Sequence, residues 1–225
     1  MRRFFTIFFS GIVLVSCSQA SSTSDNLQVK TTFQTSQPWR PTMDNRADAV
    51  MIYGVGGDQR KPEKHQDFLN RIDSWRQRGY QTDFMTGISW GEYQDFFSGE
   101  WDGIKHGDKG QVRENGDTVW HHPGVPYIVP TDEYIEYFKQ QHIKPVIDAG
   151  ISNIYLEEPE FWAFAGYSEA FKREWKKYYG FDWRAQHLSA ENTYLANKLK
   201  YHLYYEALRK VFTFAKEYGH TKEST

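Results

Sequence analysis

The feature that most constrains the fold is a continuous apolar run from Ala49 to Val55, with no polar residue to mark a solvent-facing side. Such a run is typical of a strand buried on both faces, because a half-exposed strand alternates apolar and polar residues. Residues 65–78 follow with apolar side chains at helical spacing, namely Phe68, Leu69, Ile72 and Trp75. Residues 80–85 predict a second strand, so the domain opens with a β-α-β order.

The alternation of helices and strands continues towards the C-terminus. A helix is predicted from Thr131 to about Ala149, with Pro145 kinking or breaking it. The later elements are a strand over residues 151–156 and helices over residues 168–179 and 190–218. Strands that alternate with helices predict an α/β fold with parallel strands.

A long irregular segment, residues 86–129, follows the second predicted strand and contains eight glycines. A loop of this length inside a compact domain is usually functional. Its adjacent His121 and His122 have no histidine four residues away and no nearby cysteine, so no metal site is predicted. Residues 54–57 lack the later glycine of a dinucleotide-binding loop, so no cofactor is predicted.

Ligands of parallel α/β folds bind beyond the carboxyl ends of the strands. Each predicted strand carries acidic or aromatic residues there, and the long loop adds more. The candidate substrate-binding residues are Asp58, Trp90, Glu92, Trp120, His121, Glu160 and Trp162. Each aromatic residue in this set can equally serve in loop packing.

The third strand runs directly into Glu157-Glu158-Pro159-Glu160. This segment resembles the Asn-Glu-Pro signature of the clan of retaining glycoside hydrolases built on (β/α)8 (TIM) barrels, and residues 161–180 are similar to the following helix of beta-galactosidase-like members. The resemblance implies that Glu158, before Pro159, is the general acid/base. The clan's asparagine corresponds to Glu157 here.

Glycoside cleavage needs one protonated carboxyl group and one carboxylate, about 5.5 Å apart for retention and about 6.5–9.5 Å apart for inversion. We therefore take Glu158 as the first catalytic candidate, with Glu157 as the second or, like Glu160, as a substrate ligand. Side chains alternate along a strand, so Glu157 and Glu158 are expected to point in different directions. The alternative is that these acids cap the next helix or pair with arginines.

A (β/α)8 domain needs roughly 250 residues and eight strands, whereas residues 39–225 contain three or four predicted strands. The expected fold is therefore a partial (β/α)8 barrel, about its first half. The resemblance places the clan's nucleophile on a later strand, so we expect the chain to be a truncated part of a longer enzyme.

The N-terminus resembles a bacterial lipoprotein signal. Arg2 and Arg3 precede a short apolar run, and Leu14-Val15-Ser16-Cys17 is similar to a lipobox. We predict a signal peptide over residues 1–16, lipidation of Cys17, a flexible Ser- and Thr-rich linker to residue 38 and a domain over 39–225. The protein would then be secreted and anchored to a bacterial membrane. Cys17 is the single cysteine, so no internal disulfide can form.

Composition narrows the partner classes. Aromatic residues make up 17% of the chain, and the formal net charge is −2. This charge argues against nucleic acid as a partner, while aromatic rings with carboxylates suit oligo- or polysaccharides. Two functions remain open: a glycoside hydrolase at the cell envelope, or a non-catalytic lipoprotein that binds glycans with aromatic loops.

Overall fold

A computed structural model describes residues 31–54 and 60–223, so the predicted signal peptide, Cys17 and Asp58 lie outside the described residues. In chain order the strands are β1 Thr32–Thr35, β2 Ala49–Ile52, β3 Gln81–Gly87, β4 Trp120–His122, β5 Val125–Pro126 and β6 Ile154–Glu157. The helices are α1 Pro62–Arg76, α2 Gln94–Ser98, α3 Asp132–Phe138, α4 Lys144–Asp148, α5 Glu169–Tyr179 and α6 Ala190–Glu223. Among the described helices, none is both long and apolar enough to cross a bilayer.

The main sheet has four parallel strands in the order β1-β2-β3-β6, which confirms the predicted α/β class with parallel strands. The register places Ile52, Phe84 and Ile154 side by side on one face. This face is covered by α1, whose Phe68, Ile72 and Trp75 belong to the same buried cluster. β4 and β5 form a separate hairpin inside the long segment between β3 and α3.

The opposite face of the sheet, which we call the open face, carries Met51, Tyr53, Met85, Tyr155 and Glu157. These residues alternate with those that face the helices. Tyr53 and Tyr155 are 40% and 47% exposed. Large aromatic side chains therefore remain accessible on this side of the sheet.

Strand β1 lies in the segment that the sequence predicts as linker. Its residues pair in register with β2, from Thr32 with Ala49 to Thr35 with Ile52. Phe33 packs edge-on against Trp75, with ring centroids 5.3 Å apart. A short strand of mostly polar residues has no periodic signal of its own, so only its partners reveal it. The folded part thus begins before residue 39.

Helix boundaries follow local chemistry where capping residues are present. The Thr131 side chain accepts a hydrogen bond from the Tyr134 N–H, and Ser168 does the same for Phe171. Gly180 ends α5 in the left-handed conformation with φ of 77°. These caps agree with the boundaries predicted from sequence.

One helix is interrupted near Pro145, as predicted, and another extends beyond its predicted end. The helix from Thr131 is interrupted by a π-helical segment, Lys139–Ile143, just before Pro145. Proline has no N–H to donate, so the preceding turn widens. In contrast, α6 continues past Gly219 to Glu223. The Tyr218 hydroxyl donates to Asp148 Oδ1 at 2.7 Å and holds the end of α6 against α4.

Candidate functional site

A cavity of about 520 Å³ lies at the carboxyl edge of the parallel sheet. All four strands contribute to it at or just after their C-terminal ends. Its lining includes Gln34, Ser36, Tyr53, Gly54, Met85, Gly87, Trp90, Glu92, His122 and Glu157. Of the predicted site residues, the cavity therefore brings together Trp90, Glu92 and Glu157.

The ends of β1 and β2 are held by Arg71, a buried residue of α1 that was not predicted from the sequence. Its guanidinium donates to the carbonyl oxygens of Ser36 and Tyr53, both at 3.1 Å, and of Gly54 at 2.8 Å. Burial lowers the pKa of Arg71 from its usual value. This side chain fixes one wall of the cavity. An arginine inside an amphipathic helix has no sequence signal for such a role.

Glu157 forms another part of the wall. It ends β6, is half-buried on the open face and lies opposite Gly87 in the register. Burial, followed by the negative charge of Glu158, raises the pKa of Glu157 above its usual value. Glu157 is thus a carboxyl group that retains its proton to a higher pH than a free glutamate does.

Glu158 is absent from the lining of this cavity. Its backbone is left-handed, with φ of 49°, a conformation that costs a non-glycine residue of order 1 kcal/mol or more. The Ser89 hydroxyl donates to the Glu158 carbonyl oxygen, and the Trp90 indole N–H donates to the Glu158 carboxylate. These contacts from the β3 end stabilise the turn. Of the two adjacent glutamates, Glu157 is therefore the one that lines the cavity.

Glu160 follows the same turn. Its N–H donates to the Glu158 carbonyl oxygen at 2.7 Å and approaches Ser89 Oγ at 3.1 Å. Burial raises the pKa of Tyr127, and the negative charge of Glu160 adds to this shift. Glu160 therefore lies near Tyr127 and, like Glu158, is absent from the cavity lining.

The two adjacent histidines have separate environments. His121 stacks on Trp90, with ring centroids 4.0 Å apart and planes 6° apart. Burial lowers the pKa of His121, which favours the neutral form of the ring. His122 instead lines the cavity. In the described parts of the chain, no group of three His, Cys, Asp or Glu side chains has the geometry to hold a metal ion.

Three further tryptophans, at positions 101, 120 and 162, do not line the cavity. Trp120 is 56% exposed on β4 and is absent from the cavity lining. Trp101 packs edge-on against Tyr137, with ring centroids 5.5 Å apart. Trp162 contacts Tyr127 at a centroid distance of 5.6 Å, beyond the Glu160 turn. The amino-acid composition of the chain could not distinguish these three environments.

No protein-family model matches the chain, and the comparison with curated proteins gives no match. Among solved structures, the fold is similar to that of alpha-L-fucosidase isoenzyme 2 from Paenibacillus thiaminolyticus, with a TM-score of 0.54 and 11% sequence identity. The similarity covers 76% of this chain and 26% of that chain. The chain thus spans about a quarter of the length of that enzyme. At this identity, the similarity concerns the fold.

Proposed function

We propose that this domain is a glycoside hydrolase with Glu157 as its proton donor. The observation that carries the proposal is a carboxyl group of raised pKa in a cavity at the carboxyl edge of a parallel sheet. The similarity in fold to a fucosidase supports a carbohydrate substrate. The four parallel strands are compatible with part of a (β/α)8 barrel.

In the proposed reaction, Glu157 donates its proton to the glycosidic oxygen as the bond to the anomeric carbon breaks. A second carboxylate must act as nucleophile or activate water. Glu92 lines the same cavity, and we propose it for this role. Glu158 acts on Glu157 through its charge, because a neighbouring carboxylate disfavours ionisation of the acid.

The decisive experiment compares good and poor leaving groups. A panel of aryl glycosides and the corresponding disaccharides, including fucosides and galactosides, would be incubated with the wild-type protein and with Glu157→Gln. Loss of a general acid lowers the rate by about 10²- to 10⁴-fold. We expect a large loss for disaccharides and a smaller one for aryl glycosides, whose leaving group needs little protonation.

The matched control is Glu169→Gln, which removes an exposed carboxylate at the start of α5. It should retain full activity. The proposal fails if the wild-type protein cleaves no member of the panel, or if Glu157→Gln loses equally little activity on both substrate types.

A second candidate function is glycan binding without cleavage. Trp120 and Trp162, which are 56% and 37% exposed, favour it because accessible indoles stack on sugar rings. Calorimetric binding of a disaccharide from the same panel, with no release of product over a day, would support this alternative.

We also propose that Cys17 attaches the protein to a bacterial membrane. This proposal rests on the lipobox-like sequence. Cys17→Ser should move the protein from the membrane fraction to the soluble fraction and abolish incorporation of labelled palmitate. Unchanged fractionation and labelling would contradict it.

A further inference from the structure

A row of aromatic rings leads from the cavity to a second groove. Trp90, in the cavity wall, stacks on His121 at 4.0 Å. His121 contacts Tyr127 at 5.5 Å, and Tyr127 contacts Trp162 at 5.6 Å. Trp162 then stacks on Phe164 at 5.4 Å, with planes 22° apart. We call these five residues the aromatic row.

Phe164, the last residue of the aromatic row, lines a groove of about 620 Å³, and Trp162 stacks on Phe164 beside it. The guanidinium of Arg113 lies 4.0 Å from the Phe164 ring centroid. The groove also contains Asn115, Tyr167 and His187. Accessible rings bordered by hydrogen-bonding side chains are the surface chemistry that suits a sugar, which has apolar C–H faces and polar hydroxyls.

Buried polar side chains hold this outer end in place. The backbone N–H of Trp162 donates to Gln111 Oε1 at 3.0 Å. The Ala163 carbonyl oxygen accepts from Gln186 Nε2 and from Lys200 Nζ, both at 2.8 Å. Gln111, Gln186 and Lys200 are 0%, 9% and 4% exposed. Satisfied buried networks of this kind rigidify the loop that they contact.

The loop that these hydrogen bonds hold in place carries two exposed aromatic rings. Trp162 and Phe164 remain 37% and 40% exposed, although apolar rings gain free energy by burial. Buried hydrogen bonds fix this loop while its rings stay accessible. Such a loop is pre-organised for a ligand, because little conformational freedom remains to be lost on binding.

We propose that Trp162, Phe164 and Arg113 form a distal subsite for an oligosaccharide or polysaccharide whose other end occupies the Glu157 cavity. This inference rests on the proposed function and deepens it. It assigns an extended glycan, rather than a single terminal sugar, as the substrate class. Phe164 and Arg113 thereby join the ligand-binding residues, although neither was predicted from the sequence.

The test measures how affinity depends on chain length. Disaccharides and hexasaccharides of fucose, galactose, glucose or xylose would be titrated into the full domain by calorimetry. The wild-type protein should bind the hexasaccharide of its preferred sugar at least about 10-fold more tightly than the disaccharide, since one ring contact of about 1.4 kcal/mol corresponds to that factor.

The variants Trp162→Ala and Phe164→Ala should lose this gain and keep the disaccharide affinity. Phe164→Leu serves as the variant that preserves apolar volume and removes the aromatic ring. Tyr201→Ala is the matched control, because Tyr201 is a 77% exposed aromatic residue on α6, outside the aromatic row. It should bind both ligands as the wild-type protein does.

The possible failures are distinguishable. Equal wild-type affinity for both chain lengths, or a gain that survives in Phe164→Leu and in both alanine variants, overturns the distal subsite while disaccharide binding leaves the proposed function intact. A gain lost equally in Tyr201→Ala also overturns it. Absence of binding to every sugar overturns the subsite and the carbohydrate function together.

Discussion

The indole N–H of Trp90 donates a hydrogen bond to the carboxylate of Glu158, so the segment after β3 holds the turn after β6. The same indole stacks on His121 and lines the cavity. One side chain thus connects the cavity wall with the acid whose charge acts on Glu157.

Trp90→Phe tests this connection. The change keeps an aromatic ring for His121 and removes the hydrogen bond to Glu158. We expect a loss of about 1 kcal/mol in the free energy of unfolding, measured by urea denaturation. Trp120→Phe, which alters an exposed indole outside this contact, should change it by less than about 0.5 kcal/mol. Equal effects of the two variants would show that the contact adds no stability.

The raised pKa of Glu157 predicts a pH-dependent stability. The folded state holds this proton more tightly than the unfolded state, so the associated stability is present below the ordinary glutamate pKa of 4.5 and is lost as the pH rises through the folded pKa. Glu157→Gln lacks this titration. Its unfolding free energy should therefore rise relative to wild type as the pH increases above 4.5 and through the folded-state pKa of Glu157.

The same denaturation series in a Glu158→Gln background separates the two causes of the raised pKa of Glu157, which are burial and the charge of Glu158. Without the Glu158 charge, the pKa shift of Glu157 is smaller. The pH-dependent gain from Glu157→Gln should shrink accordingly. A gain of unchanged size would assign the shift to burial alone.

Gly87 is required by the close approach of Trp90. A Cβ atom at position 87 would lie 2.6 Å from the Trp90 carbonyl oxygen and 2.9 Å from Trp90 Cε2. Gly87→Ala should therefore displace Trp90 and lower the free energy of unfolding by about 1–3 kcal/mol, measured by thermal or urea denaturation. Gly116→Ala is unsuitable as a control because Gly116 has a positive φ of 88°. A Cβ atom at Gly107 would meet no other atom within 4 Å, so Gly107→Ala serves as the control. Wild-type stability in Gly87→Ala would contradict the packing.

Lys200 donates a hydrogen bond to the loop at the outer end of the aromatic row. Burial of its amine changes the free energy of unfolding by an amount that depends on pH. Burial lowers its pKa to about 8, from the ordinary lysine value of 10.5. Between these values the unfolded state binds more protons, so the contribution of Lys200 to stability improves as the pH rises. The unfolding free energy of wild type should rise relative to Lys200→Met from about pH 8 to pH 10.5. A constant difference across this range would contradict the lowered pKa of Lys200.

The sequence by itself determined the parallel α/β class and the helix boundaries at Thr131, Ser168 and Gly180. These features depend on apolar periodicity and on capping contacts between residues that are close in the chain. It also placed the acidic cluster at the end of β6, because a strand and the residues just after it are continuous in sequence.

Only the tertiary structure decided which acid lines the cavity. Ser89 and Trp90 hold Glu158 in a left-handed turn from positions about 70 residues earlier, and this leaves Glu157 in the cavity wall. The pairing of β1 with β2 depends likewise on partners that local patterns do not specify. Periodicity reports which side of an element is buried, whereas the neighbours that a side chain meets are fixed by packing between distant segments.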